Sequence, residues 1–476
     1  MINESRQRFR YIVADFLSTG MAVLLFNVVR YYDLPAAYTG FASLTSFLCS
    51  PILIVGQILF PTVMLLIYYL SGYYTHVYVK SRTSEFSTTL ITAVIGTLLM
   101  IFATLLNDLT NDRIHDYNLF LILLGLLFAV VYLPRLAITS RTARLIAQRR
   151  ICFNTLIVGY SSAPDLYTRQ INGIEPSTAI CPVALIDSDN HAETLADIDT
   201  ALPAFDIDNI AEVCHSMHIE RLIVIPHPDG WEHTLETVHR LLPLSLSIYI
   251  AAGSLPVYLF RSRLMNLTAE PFIDISRNNL PASTINIKRA FDVVASSLLL
   301  AVSAIPILIL ALAVRINSDG PAFYRQRRVG LHGRQFDIIK LRSMINKAEP
   351  DGNPQLSHPD DHRVTGIGRI LRKYRLDELP QLINVLRGDM SIVGPRPERP
   401  HYAAMLLERD PAYALIHCVR PGLTSLGMVK YGYASDVEQM LERLKYDLLY
   451  LENISVTTDL KIILHTAHTV LSGKGV

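Results

Sequence analysis

Four long apolar runs fill the first third of the chain, at 12–29, 51–72, 88–106 and 117–134. Each approaches the ~20 residues that a helix needs to cross a bilayer core. Four membrane-spanning helices are therefore predicted, although Asp15 and Asn27 interrupt the first. Four buried helices of a soluble domain are the alternative. Cations gather in alternate connections. Arg6, Arg8 and Arg10 precede the first run, and Lys80 and Arg82 follow the second. Arg135, Arg141, Arg144, Arg149 and Arg150 follow the fourth, whereas the third and fourth runs are separated by Asp108, Asp112 and Asp116. The positive-inside bias then predicts both ends of the bundle in the cytoplasm.

After residue 150 the apolar runs shorten. Thr155–Val158, Val183–Ile186, Leu222–Ile225 and Leu246–Ile250 read as strands, and segments near 208–217 and 232–243 as helices. This alternation predicts a parallel sheet of Rossmann type. A dinucleotide loop needs G-x-G-x-x-G after the first strand. Here Gly159 is followed by Tyr160, Ser161, Ser162, Ala163 and Pro164, so only the first glycine remains. Asp187 ends the second strand, where a ribose-binding acid belongs in such a fold. The lost glycines favour a structural or regulatory role for this domain.

A fifth apolar run, Val293–Val314, has Lys288 and Arg289 before it and Arg315 after it. Ser303 and Pro306 lie inside. Proline removes one backbone hydrogen bond, and a nearby Ser can satisfy the freed carbonyl. The run therefore reads as a re-entrant hairpin that dips into one leaflet, with a full span as the alternative. The layout is 1–150 for a four-helix transmembrane bundle and 151–275 for a Rossmann-like α/β domain. Residues 276–476 form a mixed α/β catalytic domain with its re-entrant membrane helix at about 288–316.

Beyond the hairpin, two alternating stretches carry Arg325, Arg327, Arg328, Lys340 and Arg342 with only Asp337 among them. That balance favours an anionic ligand. A helix near 366–375 carries Arg369, Arg372, Lys373 and Arg375 and leads into Leu376-Asp377-Glu378-Leu379-Pro380-Gln381-Leu382. Pro380 belongs in a first helical turn, which puts Asp377 near an N-cap, at the positive end of a helix. There it suits a nucleophile kept ionised, with Glu378 as a magnesium ligand. Mg²⁺ takes one or two carboxylates and completes its shell from substrate phosphates. Two further turns present Arg396 and Arg420, and Arg suits bidentate phosphate contacts.

Composition adds exclusions. Half of the 476 residues are hydrophobic and 18% are charged, with a net charge of +1. That balance argues against a nucleic-acid partner. The five cysteines form no CxxC pair. They predict neither a zinc site nor a disulfide framework, and they fit a reducing cytosol.

The stretch from about 286 to 476 resembles the bacterial sugar transferases, the monotopic phosphoglycosyl transferases. The matching pieces are Lys288-Arg289-Ala290-Phe291-Asp292, Lys340-Leu341-Arg342-Ser343-Met344, the Asp377-Glu378 segment, Gly388 to Pro397, and Arg420-Pro421-Gly422-Leu423-Thr424. The whole chain resembles the long members, which start exopolysaccharide, capsule or O-antigen repeat units at the bacterial inner membrane. The resemblance implies that Asp377 is the nucleophile, that Glu378 binds Mg²⁺, and that Lys340, Arg372, Arg396 and Arg420 lie near the phosphates. It implies a ping-pong reaction in which a UDP-sugar loses UMP to leave a phosphosugar on Asp377. Polyprenyl (undecaprenyl) phosphate then takes the sugar phosphate. Two features depart from the family pattern. Ser303 and Pro306 are not adjacent, and the segment after Thr424 reads Ser-Leu-Gly-Met-Val-Lys-Tyr-Gly where Gly-Trp-Ala-Gln-Val-Asn-Gly-Arg is common. The donor sugar, the pathway and any homo-oligomer are left open. The rival readings are a non-catalytic membrane scaffold and an oxidoreductase or epimerase acting through the middle domain.

Overall fold

The computed structural model describes residues 4–33, 41–75, 77–78, 80, 82–105, 113–174, 178–197, 202–251, 272–274, 280–346, 348, 355–356 and 361–472. Asp108, Asp112 and the expected domain boundary at 275 lie outside them. Among the described residues, five helices are long and apolar enough to cross a membrane: Glu4–Tyr32, Pro51–Leu70, Arg82–Ala103, Tyr117–Ala147 and Ala282–Asn317. The chain divides into two compact units.

The first unit comprises Met1–Cys152 with two short later segments. Its helices are α1 (Glu4–Asp33), the short α2 (Leu44–Leu48), α3 (Pro51–Leu70), α4 (Arg82–Leu105) and α5 (Arg113–Ala147). Helix α1 packs on α3 and α5, and α4 packs on α5. Polarity runs opposite to that of a soluble bundle. Ile58, Phe102 and Leu121 face outward, while Asp15, Asn27, Glu85, Thr89 and Arg135 are buried. Such a surface suits lipid, and polar groups then find partners inside.

Asp15, Glu85, Thr89 and Arg135 belong to one network, whereas the Asn27 side-chain oxygen is buried without a hydrogen-bond partner. The Arg135 guanidinium grips Asp15 through Nε at 2.7 Å and Nη2 at 2.9 Å, and donates to Thr89 at 3.0 Å. Tyr74 also donates to Asp15. Glu85 accepts from Tyr73 and Thr139 and lies 3.5 Å from Lys80. Lys80 and Arg135 both lie over the Tyr73 ring. Two of the cations expected in exposed connections are thus internal partners of acids, so they carry no orientation signal.

The second unit holds a six-stranded sheet of order β3-β2-β1-β4-β5-β6. The strands are β1 (Phe153–Gly159), β2 (Ile180–Asp187), β3 (Ala204–Asp206), β4 (Arg221–Val224), β5 (Ser247–Ala251) and β6 (Phe272–Asp274). Leu156, Ile157, Val158, Leu222, Ile223 and Val224 are fully buried. Runs apolar on both faces are what a parallel sheet covered by helices requires. Strands β1 and β4, β4 and β5, and β2 and β3 pair in parallel, whereas β6 runs antiparallel to β5. Helices α6 (Pro164–Asn172), α7 (Ile210–Ser216) and α8 (Trp231–Leu241) complete the layers. Cys152 and Cys181 are disulfide-bonded, so the cysteines give no argument for a reducing compartment.

The crevice at the carboxyl ends of β1 and β4 is filled by the protein's own side chains. Tyr160 packs edge-on to His227 and hydrogen-bonds Thr237, which also meets Ser188. Asp187 accepts from the backbone N–H groups of Ser161 and His191. The acid at the ribose position of a dinucleotide fold is committed to the turn, in keeping with the structural role expected for this domain.

The remainder of this unit begins with helix α9 (Ala282–Asn317) and the antiparallel ribbon β7 (Phe323–Val329)–β8 (Gln335–Leu341). Then come α10 (Gly366–Lys373), a 3₁₀ segment (Leu376–Gln381), α11 (Leu382–Arg387), β9 (Ser391–Val393) and α12 (Pro400–Arg409). A second 3₁₀ segment (Pro411–Cys418), β10 (Gly422–Thr424), α13 (Leu426–Lys430), α14 (Val437–Glu452) and α15 (Val456–Leu471) finish the fold. Strands β9 and β10 pair in parallel. Pro411–Cys418 packs on α8, and Cys418 and Leu415 join the hydrophobic core of the six-stranded sheet.

Helix α9 is continuous through Pro306, without the turn that a helical hairpin predicts. The Ser303 hydroxyl is buried without a hydrogen-bond partner, so it does not satisfy a freed carbonyl. Both arms of α9 nevertheless meet the same folded unit. Arg289 donates to the Val385 and Leu386 carbonyls at the end of α11, and Asp292 accepts from Ile392 N–H. Twenty residues on, Ala311 and Val314 pack with Leu341 and Leu371. Between them Leu298, Leu299, Val302 and Ile305 are exposed.

Candidate active site

A cavity of about 440 Å³ opens beside the ribbon and is lined by Lys340, Arg342, Arg372, Asp377, Glu378 and Arg396, among others. Strand alternation builds one wall. Tyr324, Gln326 and Arg328 lie two apart on β7 and all line the cavity, with Lys340 paired opposite Tyr324. Helix α10 is anchored by its N-cap Thr365, whose hydroxyl accepts from Gly368 N–H at 3.0 Å. A Cβ at Gly368 would lie 1.9 Å from the Ser343 carbonyl oxygen. Glycine therefore permits the helix to approach β8 closely enough for Arg372 Nε to donate to Ser343 Oγ at 3.0 Å.

The chain then reverses at Arg375, whose φ of 52° is left-handed. It enters the 3₁₀ segment that carries Asp377 and Glu378 inward, 8% and 7% exposed. Asp377 is not an N-cap; Arg375 holds that position, and α11 starts only at Leu382. The proline that suggested a first helical turn instead lies inside the 3₁₀ segment, ahead of α11.

Glu378 is surrounded by cations: Lys340 Nζ at 3.2 Å, Arg375 at 3.8 Å and Arg396 at 3.9 Å. Burial alone would raise its pKa, but Lys340, then Arg396 and Arg375, hold it down to about 2. Asp377 moves the other way. Burial pushes its carboxyl up, Lys340 and Arg372 oppose that, and Glu378 adds to it. Glu378 makes the direct ion pair with Lys340, whereas for Asp377 burial outweighs the cations. Lys340 is itself lowered by burial, against the pull of Glu378 and Asp377.

The other expected phosphate ligands divide. Arg396 and Arg372 join the acids. Arg342 lines the cavity, yet it donates to the Asp319 and Ser318 carbonyls at 2.6 and 2.7 Å, closing the end of α9. Arg420 is not among the lining side chains; its Nε donates to the Gly388 carbonyl at 2.9 Å, beyond α11. Sequence reasoning missed Glu398, which pairs with Arg443 and with Arg328 at 3.4 Å. All three line the cavity. Glu398 follows directly on the turn that presents Arg396, and that adjacency was the available signal. Arg375 and Tyr433 were likewise missed.

Hard carboxylate oxygens beside a cationic cavity fit a divalent ion that draws its remaining ligands from phosphate and water. Among the described residues no three acids, His or Cys gather as a metal cluster. Any such ion would rest on Glu378 and Asp377 together with its substrate.

A buried acid pair ringed by Lys and Arg is an arrangement suited to anionic ligands such as phosphates. Residues 283–473 match the family model described as bacterial sugar transferase. A UDP-glucose:undecaprenyl-phosphate glucose-1-phosphate transferase of Caulobacter vibrioides is 46% identical over 187 residues, covering 39% of this chain and 70% of that protein. A UDP-N-acetylgalactosamine-undecaprenyl-phosphate N-acetylgalactosaminephosphotransferase of Aeromonas hydrophila is 36% identical over 231 residues, 47% of this chain and 54% of its own length. An exopolysaccharide production protein of Rhizobium leguminosarum is 37% identical over 195 residues, covering 40% of this chain and 98% of its own length. The match thus spans little more than half of the Aeromonas relative. The chain belongs to the bacterial sugar transferase family.

Proposed function

We propose that the protein transfers a sugar-1-phosphate from a UDP-sugar to undecaprenyl phosphate, initiating a polysaccharide repeat unit. The observation that carries this reading is the convergence of Lys340, Arg372, Arg375 and Arg396 on the buried Asp377–Glu378 pair. An Asp377 carboxylate oxygen attacks the sugar-linked phosphorus, and the bond to UMP breaks. An oxygen of the lipid phosphate then attacks the same phosphorus, and the acyl phosphate bond breaks to restore the carboxylate. Covalent catalysis divides one displacement between two anions into two easier steps. Lys340 and Arg372 offset charge in each step, and Arg396 chiefly in the first. Glu378 would hold a Mg²⁺ ion, which would supply further neutralisation of the pyrophosphate when bound.

The site is read as cytoplasmic, at the inner membrane, with α9 re-entrant. This is supported by the attachment of both arms of α9 to one folded unit and by the exposed apolar residues between them. The filled crevice of the six-stranded sheet speaks against the oxidoreductase alternative. The test is UMP release by purified protein given a panel of UDP-sugars, with and without undecaprenyl phosphate. UMP appearing with one donor, and lipid-linked sugar phosphate only when acceptor is present, is expected. No UMP from any donor would leave the scaffold reading.

A further inference from the structure

Arg375 and Arg396 come from different loops yet meet the same two partners. Glu378 faces both. The Tyr433 ring also lies against both, its centroid 4.9 Å from the Arg375 guanidinium carbon and 5.4 Å from that of Arg396. Tyr433 follows α13, immediately after the stretch where the sequence departs from the common family pattern. It lines the cavity and is 37% exposed.

The two partners act on different parts of a guanidinium. A carboxylate takes the N–H edge, whereas an aromatic ring attracts the cation across its face at up to ~6 Å. Arriving phosphates compete with Glu378 for the N–H edges. They do not compete with the ring. Glu378 also serves Lys340 at 3.2 Å, so its hold on either arginine is shared. Arg375 Nε is buried without a hydrogen-bond partner, and Arg375 is not among the side chains that line the cavity.

We propose that Tyr433 is a positioning residue that holds Arg396 edge-on to the donor's pyrophosphate, with Arg375 held on the same ring. This rests on the reaction proposed above. The acceptor brings only a monoester phosphate to a phosphosugar-enzyme, so the arginine pair serves mainly the first half-reaction. In a ping-pong enzyme kcat/KM for each substrate reports its own half-reaction, which separates positioning from general damage.

The experiment measures both kcat/KM values, and UDP binding, for the parent, Tyr433→Phe and Tyr433→Leu. Two ring contacts at exposed-to-partly-buried strength correspond to about a tenfold effect. Tyr433→Leu is expected to lower kcat/KM for the UDP-sugar, and to weaken UDP binding, by about tenfold. Its kcat/KM for undecaprenyl phosphate should be unchanged, and Tyr433→Phe should match the parent throughout. Parental values for Tyr433→Leu, an equal fall for both substrates, or loss in Tyr433→Phe as large as in Tyr433→Leu would overturn the proposal. A parent that neither binds UDP nor releases UMP would instead overturn the functional reading, and this inference with it.

Discussion

Acid should loosen the packing of Pro411–Cys418, and His417 sets the size of the effect. Its side chain is 5% exposed, edge-on to Tyr413 and 6.4 Å from the His239 ring on α8. Its Nδ1 is buried without a partner. Burial, with a smaller push from His239, lowers its pKa from near 6.5 to about 3. The folded chain therefore keeps this ring neutral, while the unfolded chain protonates it below pH 6.5. The stability it confers is complete above that pH and is lost as pH falls towards 3. Between pH 7.5 and pH 5.0, proton linkage makes the loss about 2 kcal/mol. The chain's single tryptophan, Trp231, begins α8, so its fluorescence reports this packing directly. Denaturant unfolding of the full chain in nanodiscs, followed at Trp231, should show about 2 kcal/mol more acid destabilisation in the parent than in His417→Leu. His239 remains in both proteins and cancels to first order. Identical pH dependence in the two would refute the reasoning.

Three further outcomes are expected. Asp377→Asn should abolish UMP release while the protein stays folded in the membrane; near-parental turnover would remove Asp377 from the role of nucleophile. Glu378→Gln should lose the response to added Mg²⁺, and chelator should silence the parent; Mg²⁺ dependence unchanged in Glu378→Gln would contradict this. Cysteines introduced as Ser283→Cys and Ser318→Cys, in a background lacking the native ones, should both resist an impermeant reagent in whole cells. Periplasmic labelling at 318 in the parent would instead establish an ordinary span.

Elements specified by local pattern were legible before the structure. The long apolar helices, the four main strands and the β7–β8 ribbon follow from hydrophobic period and length. Short strands such as β3 and β6, three residues each, carry too little pattern to be seen. Side-chain assignments failed where the partner is remote. Arg135 reads as a flanking cation because Asp15 is 120 positions earlier. Arg420 reads as a phosphate ligand because nothing near it in the chain announces the Gly388 carbonyl. Asp377 reads as an N-cap because Pro380 suits both a helix start and the 3₁₀ segment found here. Lys340, Arg372, Arg396, Asp377 and Glu378 do converge, because the anionic chemistry that suggested them also requires them to face one cavity.

The Asp15–Arg135 pair bears on biogenesis. A ribosome delivers α1 to the membrane well before α5 exists. An acid near the middle of a lone membrane helix costs roughly 2.5–3.5 kcal/mol on insertion scales. Until Arg135 emerges, α1 carries that cost without its partner, and Glu85 arrives before Thr139 in the same way. The nascent bundle is thus committed late. On that ground the first helix is expected to insert incompletely until Arg135 is in place, and a chain truncated before residue 135 should be cleared rather than accumulate.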